Sequence, residues 1–214
     1  MFKNRVDAGR QLAQVLKSRL GHDVVVIGLP RGGVPVAQVV SQILGAPLDL
    51  IIVRKLGVTW QQELAFGALG EDGQKFLNKA VLDQLAISHQ VQDEVIAREG
   101  MEIKKRQKLF RREGKPAEFR GKSVLIIDDG IATGATVHVA CDVARKRGAK
   151  RIVIAAPVAA REAVRELSRY ADEIYVLLQP AEFFAVGQWY EDFSPTSDED
   201  VINIMNESRV KNGS

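Results

Sequence analysis

Asp128 and Asp129 end a short apolar run, residues 124–127, and open a small-residue loop, residues 130–135, ahead of Thr136. An apolar run bounded by turn residues reads as a buried parallel strand, and the pattern after Thr136 reads as a helix. Two acids at the carboxyl end of such a strand sit where open α/β sheets place ligands. Ionised carboxylates only accept hydrogen bonds, so the pair matches two hydroxyl donors. The loop offers backbone N–H groups, the Thr133 and Thr136 hydroxyls and a helix N-terminus, which together suit a phosphate monoester. A phosphate at one end and vicinal hydroxyls a few ångströms away describe a ribose 5-phosphate. The loop lacks the Gly-Lys-Ser/Thr ending of a Walker A motif, and its acids precede the glycines, unlike a dinucleotide fingerprint. A plain strand–helix turn with incidental acids is a poor alternative, because buried acids without partners are costly.

Two further strand–loop units can bring positive charge to the same place. Residues 24–29 read as a buried strand that runs into Pro30, Arg31, Gly32 and Gly33, then a helix over about 34–44. An arginine beside bare glycines can present a guanidinium and backbone N–H groups to an anion. Residues 48–53 form a third strand pattern, followed by Arg54, Lys55, Leu56 and Gly57. The stretch from there to Gln62 has few core positions and reads as a loop able to close over a substrate. Glu63 is a candidate general acid or base on that loop.

The thirteen residues VLIIDDGIATGAT, 124–136, resemble the phosphoribosyl pyrophosphate (PRPP) motif of type I phosphoribosyltransferases. The resemblance implies an α/β fold, a parallel sheet with helices on both faces. It implies that Asp128 and Asp129 hold the ribose hydroxyls. Gly130, Ile131, Ala132, Thr133, Gly134, Ala135 and Thr136 then hold the 5-phosphate. Arg31, Gly32, Arg54 and Lys55 are the expected pyrophosphate contacts. The implied reaction displaces pyrophosphate from C1 of PRPP by a nitrogen nucleophile, a nucleobase, with Asp128, Asp129, Arg54 and Lys55 as the catalytic set. Mg²⁺ is the implied cofactor, reached by Asp128 and Asp129 indirectly. Phe184 and Val186 resemble the base-stacking stretch of purine salvage members. Ala132 departs from the aspartate common in 6-oxopurine enzymes and agrees, as does RKLG, with adenine-type loops. A homodimer in the cytoplasm is the family expectation, in a nucleotide salvage role.

The remaining elements follow from periodicity. Residues 7–20 read as an amphipathic helix, and Asp72-Gly73 signals a hairpin, which the family resemblance implies would extend the core sheet. Residues 78–112 read as one long or broken helical insert that Gly100 could interrupt. Strands over 151–157 and 173–178 flank a helix over 161–169 and complete the alternation expected of a parallel sheet. Residues 180–214 form a C-terminal hood with Phe183, Phe184, Trp189, Tyr190 and Phe193, then a final helix over about 198–210. The whole reads as one domain, 1–214.

Composition narrows the classes. A net charge of +3 gives no strong case for nucleic acid by itself, and the basic run at 104–115 is interleaved with acids and reads as a solvated helix face. One cysteine, Cys141, excludes an internal disulfide framework and reads as a small core residue. His22 and His138 lack partners at metal-ligand spacing. No signal-peptide core or membrane-length apolar run is seen. Two other classes share the motif: a PRPP-sensing regulator that binds RNA or another partner, and a PRPP-binding scaffold without turnover. A PRPP-synthesising kinase would need an ATP site, for which no motif is found.

Overall fold

A computed structural model describes the backbone of residues 1–21, 23–58, 61–112 and 116–212, and their side chains except at 61–64 and 210–212. The chain runs α1 (Arg5–Lys17), β1 (Val24–Gly28), α2 (Gly33–Leu44), β2 (Leu48–Leu50), β3 (Val53–Val58), β4 (Gln61–Gly70) and β5 (Lys75–Leu77). It continues through α3 (Lys79–Gln84), α4 (His89–Arg111), β6 (Ser123–Ile127), α5 (Ala135–Lys146), β7 (Arg151–Val158), α6 (Arg161–Leu167), β8 (Glu173–Leu178) and α7 (Asp198–Asn212).

The core is a parallel five-stranded sheet in the order β2-β1-β6-β7-β8. Alternate residues of its strands enter two separate apolar clusters. Val26, Leu125 and Val153 face one side; Val25, Val124 and Ile152 face the other. Both faces are therefore covered, which explains the unbroken apolar runs of the sequence. From β1 the chain moves outward to β2, and from β6 it moves outward through β7 to β8. The strand order thus reverses between β1 and β6, and the crevice beyond their carboxyl ends is the place such sheets offer a ligand. Gly28 and Ile127 are paired there, so residues 29–33 and 128–134 leave the sheet side by side.

Several expectations needed correction. The hairpin does not extend the core sheet: β3, β4 and β5 form their own antiparallel sheet. β2 is only three residues long, and the chain then turns away, anchored where the Ile52 N–H donates to Glu71 Oε1 (2.9 Å) and the Glu71 N–H to the Ile52 carbonyl (3.2 Å). Arg54, Lys55, Leu56 and Gly57 lie in β3 rather than opening a loop, because Leu56 and Val58 point into the core. Thr59 and Trp60 fall outside the described residues, as does the Glu63 side chain. The 78–112 segment breaks at residues 85–88, where Ala86 has φ 48° and Ser88 caps α4 through the Val91 N–H (3.3 Å). Gly100 continues α4 undisturbed, since an interior glycine costs a helix only about 1 kcal/mol.

The basic run is only partly a solvated face. Lys104, Lys105 and Lys108 are exposed, but Arg111 is buried. It donates to Asp49 (3.2 Å), to both Glu71 oxygens (3.0 and 3.1 Å) and to the Leu50 carbonyl. Arg147 at the end of α5 joins Glu71 (2.5 Å) and Asp72 (2.7 Å). This knot ties α4, β2, the hairpin turn and α5 together. Cys141 is a buried core residue, and burial pushes its thiol up to about 12.

Candidate active site

The two acids emerge at the β1/β6 crevice and then diverge. Asp128 Oδ1 accepts the Asp129 N–H at 2.9 Å, and its carboxyl faces a cavity of about 730 Å³. Asp129 is absent from the cavity wall. Its Oδ2 accepts Arg5 Nε at 2.8 Å, and its carbonyl accepts the Tyr190 hydroxyl at 2.6 Å. Arg5 lies over the Phe193 ring at 4.0 Å and donates to the Ser194 carbonyl at 2.8 Å. Gly32 makes this packing feasible: a Cβ there would stand 2.0 Å from Asp129 Oδ2. Burial raises the Asp128 carboxyl well above the ordinary carboxylate range, reinforced by the neighbouring Asp129 charge. Burial also raises Asp129, and the Arg5 guanidinium opposes that shift.

The loop after the acids is held from behind. The Ile131 N–H donates to the Val158 carbonyl (2.9 Å), and the Ala160 N–H to the Ile131 carbonyl (2.8 Å). Ile131 is buried, so it anchors the loop and its amide is already committed. Ala132 and Thr133 are exposed, Gly130 is buried, and Thr136 faces the cavity. Gly134 takes φ 79°, a left-handed conformation that turns the chain into α5 at little cost only for glycine. Among the described residues, the amides of Ala132, Thr133, Gly134, Ala135 and Thr136 have no hydrogen-bond acceptor in the protein. They are the free donors of a helix start, which is what an anion requires.

The basic residues divide as well. Arg54 and Lys55 line the cavity with Asp128 and Thr136. Gly32 lies against Asp129. Arg31 is outside the cavity wall, and its guanidinium is 3.6 Å from Asp198 at the start of α7, with Arg106 of α4 at 3.8 Å from the same oxygen.

In the C-terminal segment, Val186 packs on Gly130, where a Cβ would come within 2.4 Å of Val186 Cγ1. Phe184 is 79% exposed. Tyr190, Trp189 and Phe193 pack with Phe2 in a small cluster, and Phe183 joins the core. His138 stacks on Tyr170 at 3.6 Å, and burial lowers its pKa.

Sequence reasoning missed Arg5, Tyr190, Arg98 and Glu99. Arg98 and Glu99 line the cavity from α4, and Glu99 accepts from Arg54 Nε at 2.9 Å. Glu99 was detectable: it falls four residues after Val95 and four before Ile103 on the apolar stripe of α4. Arg5 and Tyr190 carried no local signal, because their contacts span 124 and 61 residues of chain.

The comparisons agree with the motif. The phosphoribosyl transferase domain matches residues 3–189, and the chain belongs to that family. It is 48% identical over 205 residues to a Mycobacterium tuberculosis H37Rv protein named "Putative phosphoribosyl transferase Rv0571c", covering 96% of this chain and 46% of that protein. The chain thus spans about half the length of the curated relatives it matches. The crystal structure of TT1426 from Thermus thermophilus is similar at 40% identity and a TM-score of 0.80, covering 96% of this chain and 98% of that one. A shorter match, 43% identity over 61 residues, is to the ribose-phosphate pyrophosphokinase of Pyrococcus furiosus, covering 28% of this chain and 22% of that protein. No helix among the described residues is long and apolar enough to cross a membrane.

Proposed function

We propose that this chain transfers the 5-phosphoribosyl group of PRPP to a nitrogen nucleophile, a nucleobase, and releases pyrophosphate. One observation carries the reading. Asp128 and Thr136, at the two ends of the phosphate-type loop, share a cavity with Arg54 and Lys55, and Lys55 also lines an adjoining cavity with Thr133, Gly134 and Ala135 of that loop. That arrangement suits a sugar phosphate carrying a polyanionic leaving group. In this reaction the bond from C1 to the pyrophosphate oxygen breaks, its electron pair leaves with pyrophosphate, and a bond from C1 to nitrogen forms. The nitrogen's proton passes to solvent. Positive charge develops on the sugar and negative charge on the leaving group, so fixed cations at the leaving group lower the barrier.

Asp128 orients the ribose hydroxyls, and Asp129 does so from its Arg5-held position. The loop from Gly130 to Thr136 holds the 5-phosphate. Arg54 and Lys55 face the pyrophosphate, with Gly32 and Arg31 at its edge. Phe184 and Val186 offer an apolar and aromatic surface to the base, as a hood formed by residues 180–214. Among the described residues, no three His, Cys, Asp or Glu side chains cluster as a metal site. Asp128, a cavity carboxyl that no arginine engages, would fit Mg²⁺ carried mainly by substrate phosphates and water. When bound, Mg²⁺ supplies charge neutralisation on the leaving group. The reading extends to one catalytic domain over 1–214, a homodimer and a cytoplasmic setting in nucleotide salvage.

The test is pyrophosphate release from PRPP and Mg²⁺ against a panel of purines, pyrimidines and small amines. Release stimulated by one acceptor is expected. Failure to bind PRPP at all would overturn the reading.

A further inference from the structure

We propose that α4 delivers Arg98 to the cavity as a ligand for the pyrophosphate group, and that Glu99 is the positioning residue that sets Arg98 and Arg54 as a pair. The proposal rests on the transferase reading. Glu99 is only 8% exposed, and its carboxylate bridges the two arginines. Oε2 accepts Arg54 Nε at 2.9 Å and Oε1 accepts Arg98 Nε at 3.1 Å. Each guanidinium is therefore gripped at its inner nitrogen, which leaves its outer pair available. Among the described residues the two Arg54 Nη groups have no acceptor, and Arg98 makes only a long contact to the Gly57 carbonyl (3.4 Å). Both side chains line the same cavity as Lys55 and Asp128.

The charges decide the class of ligand. Arg54, Arg98 and Lys55 carry three positive charges on this wall, against the carboxyls of Glu99 and Asp128. Two guanidinium forks whose outer nitrogens meet, among the described residues, only the Gly57 carbonyl match the paired oxygens of a diphosphate better than a carboxylate or a neutral base. A carboxylate on the apolar stripe of a helix is costly to bury unless it is fully partnered, and here both partners face the cavity. The bland alternative is that the trio merely fastens α4 to β3.

Titration of the intact chain with inorganic pyrophosphate and, separately, with ribose 5-phosphate distinguishes these. Arg98→Ala is expected to weaken pyrophosphate binding by about 10- to 100-fold. Ribose 5-phosphate, held by the acids and the phosphate loop, should change by less than about twofold. Arg98→Lys should recover part of the loss, since charge returns without the fork. Glu99→Gln should weaken pyrophosphate binding less than Arg98→Ala does. Arg98 is 47% exposed in its side chain, so its alanine variant should fold and decide the matter even where Glu99→Gln does not. Unchanged pyrophosphate affinity in Arg98→Ala would overturn the proposal, as would equal losses for both ligands. If the wild-type chain takes up ribose 5-phosphate but no pyrophosphate, the arginine pair fails and the sugar-phosphate site stands. If it takes up neither, the transferase reading itself falls, and the proposal with it.

Discussion

The two sides of the acid pair are built differently. Asp128 faces an open, polar cavity and accepts one hydrogen bond, from the next residue's amide. Asp129 is enclosed by Arg5, Tyr190 and Gly32, where the start of α1 meets the C-terminal segment. One carboxyl is left under-partnered for a ligand, while its neighbour is satisfied by the fold. Adjacent residues of one type are therefore held in different ways, because the backbone sends their side chains to different surroundings.

Substitution should separate them. The largest effect is expected on binding. Asp128→Asn should lower ribose 5-phosphate affinity about 100-fold or more by titration, since acceptors for charge-assisted bonds are lost. The same change should raise the melting temperature of the ligand-free chain, because it removes a half-buried, under-partnered carboxyl from beside a second acid. A fall in melting temperature would end the contrast with Asp129.

Arg5→Ala comes next. It leaves Asp129 enclosed without its partner, and should cost about 2–3 kcal/mol, below the ~3–5 kcal/mol of a fully buried ion pair because both side chains keep some exposure. In thermal melts that is a loss of about 4–12 °C for a chain of this size. An unshifted melting curve would show that Arg5 does not hold the site together.

The pH dependence is smaller. Both carboxyls are raised above the ordinary value of 3.8, so the folded chain keeps protons that the unfolded chain releases. Stability of the ligand-free chain should decline as pH rises from that value through the raised Asp128 pKa, then level off. Asp128→Asn should flatten the decline, and a slope unchanged in that variant would assign it elsewhere. Ribose 5-phosphate binding should strengthen over the same interval, because the ionised carboxylate is the better acceptor.

Phe184→Ala should have the least effect on the fold. Its ring is in solvent, so melting should move by less than about 2 °C. Weaker binding of a stimulating base in that variant would place the acceptor against the C-terminal segment, and unchanged base affinity would remove Phe184 from it.

Much of the framework was legible. The strands at 24–28, 123–127, 151–158 and 173–178 declared themselves because a strand covered on both faces must be continuously apolar. The helices after them followed from periodicity. The hairpin misled, since nothing local says whether a strand pair joins a sheet or turns away from it. RKLG also misled: Arg54 and Lys55 read as loop residues, yet Leu56 and Val58 are core positions of β3. The tail gave aromatic identity without placement, and four of its five rings turned inward while Phe184 remained outside.

By itself the sequence determined the parallel sheet, the family, and the loop that carries Asp128, Asp129 and the phosphate-type amides. Those features are written in neighbouring residues, where strand period, turn chemistry and a thirteen-residue motif act over a few ångströms of chain. Only the tertiary structure decided that Asp128 faces the cavity while Arg5 takes Asp129. It also decided that α4 reaches the site with Arg98 and Glu99, and that Arg31 leans to Asp198. Each of those choices joins residues far apart in the chain. Long polar side chains are directed by where packing leaves a partner and an opening, and no local pattern encodes that.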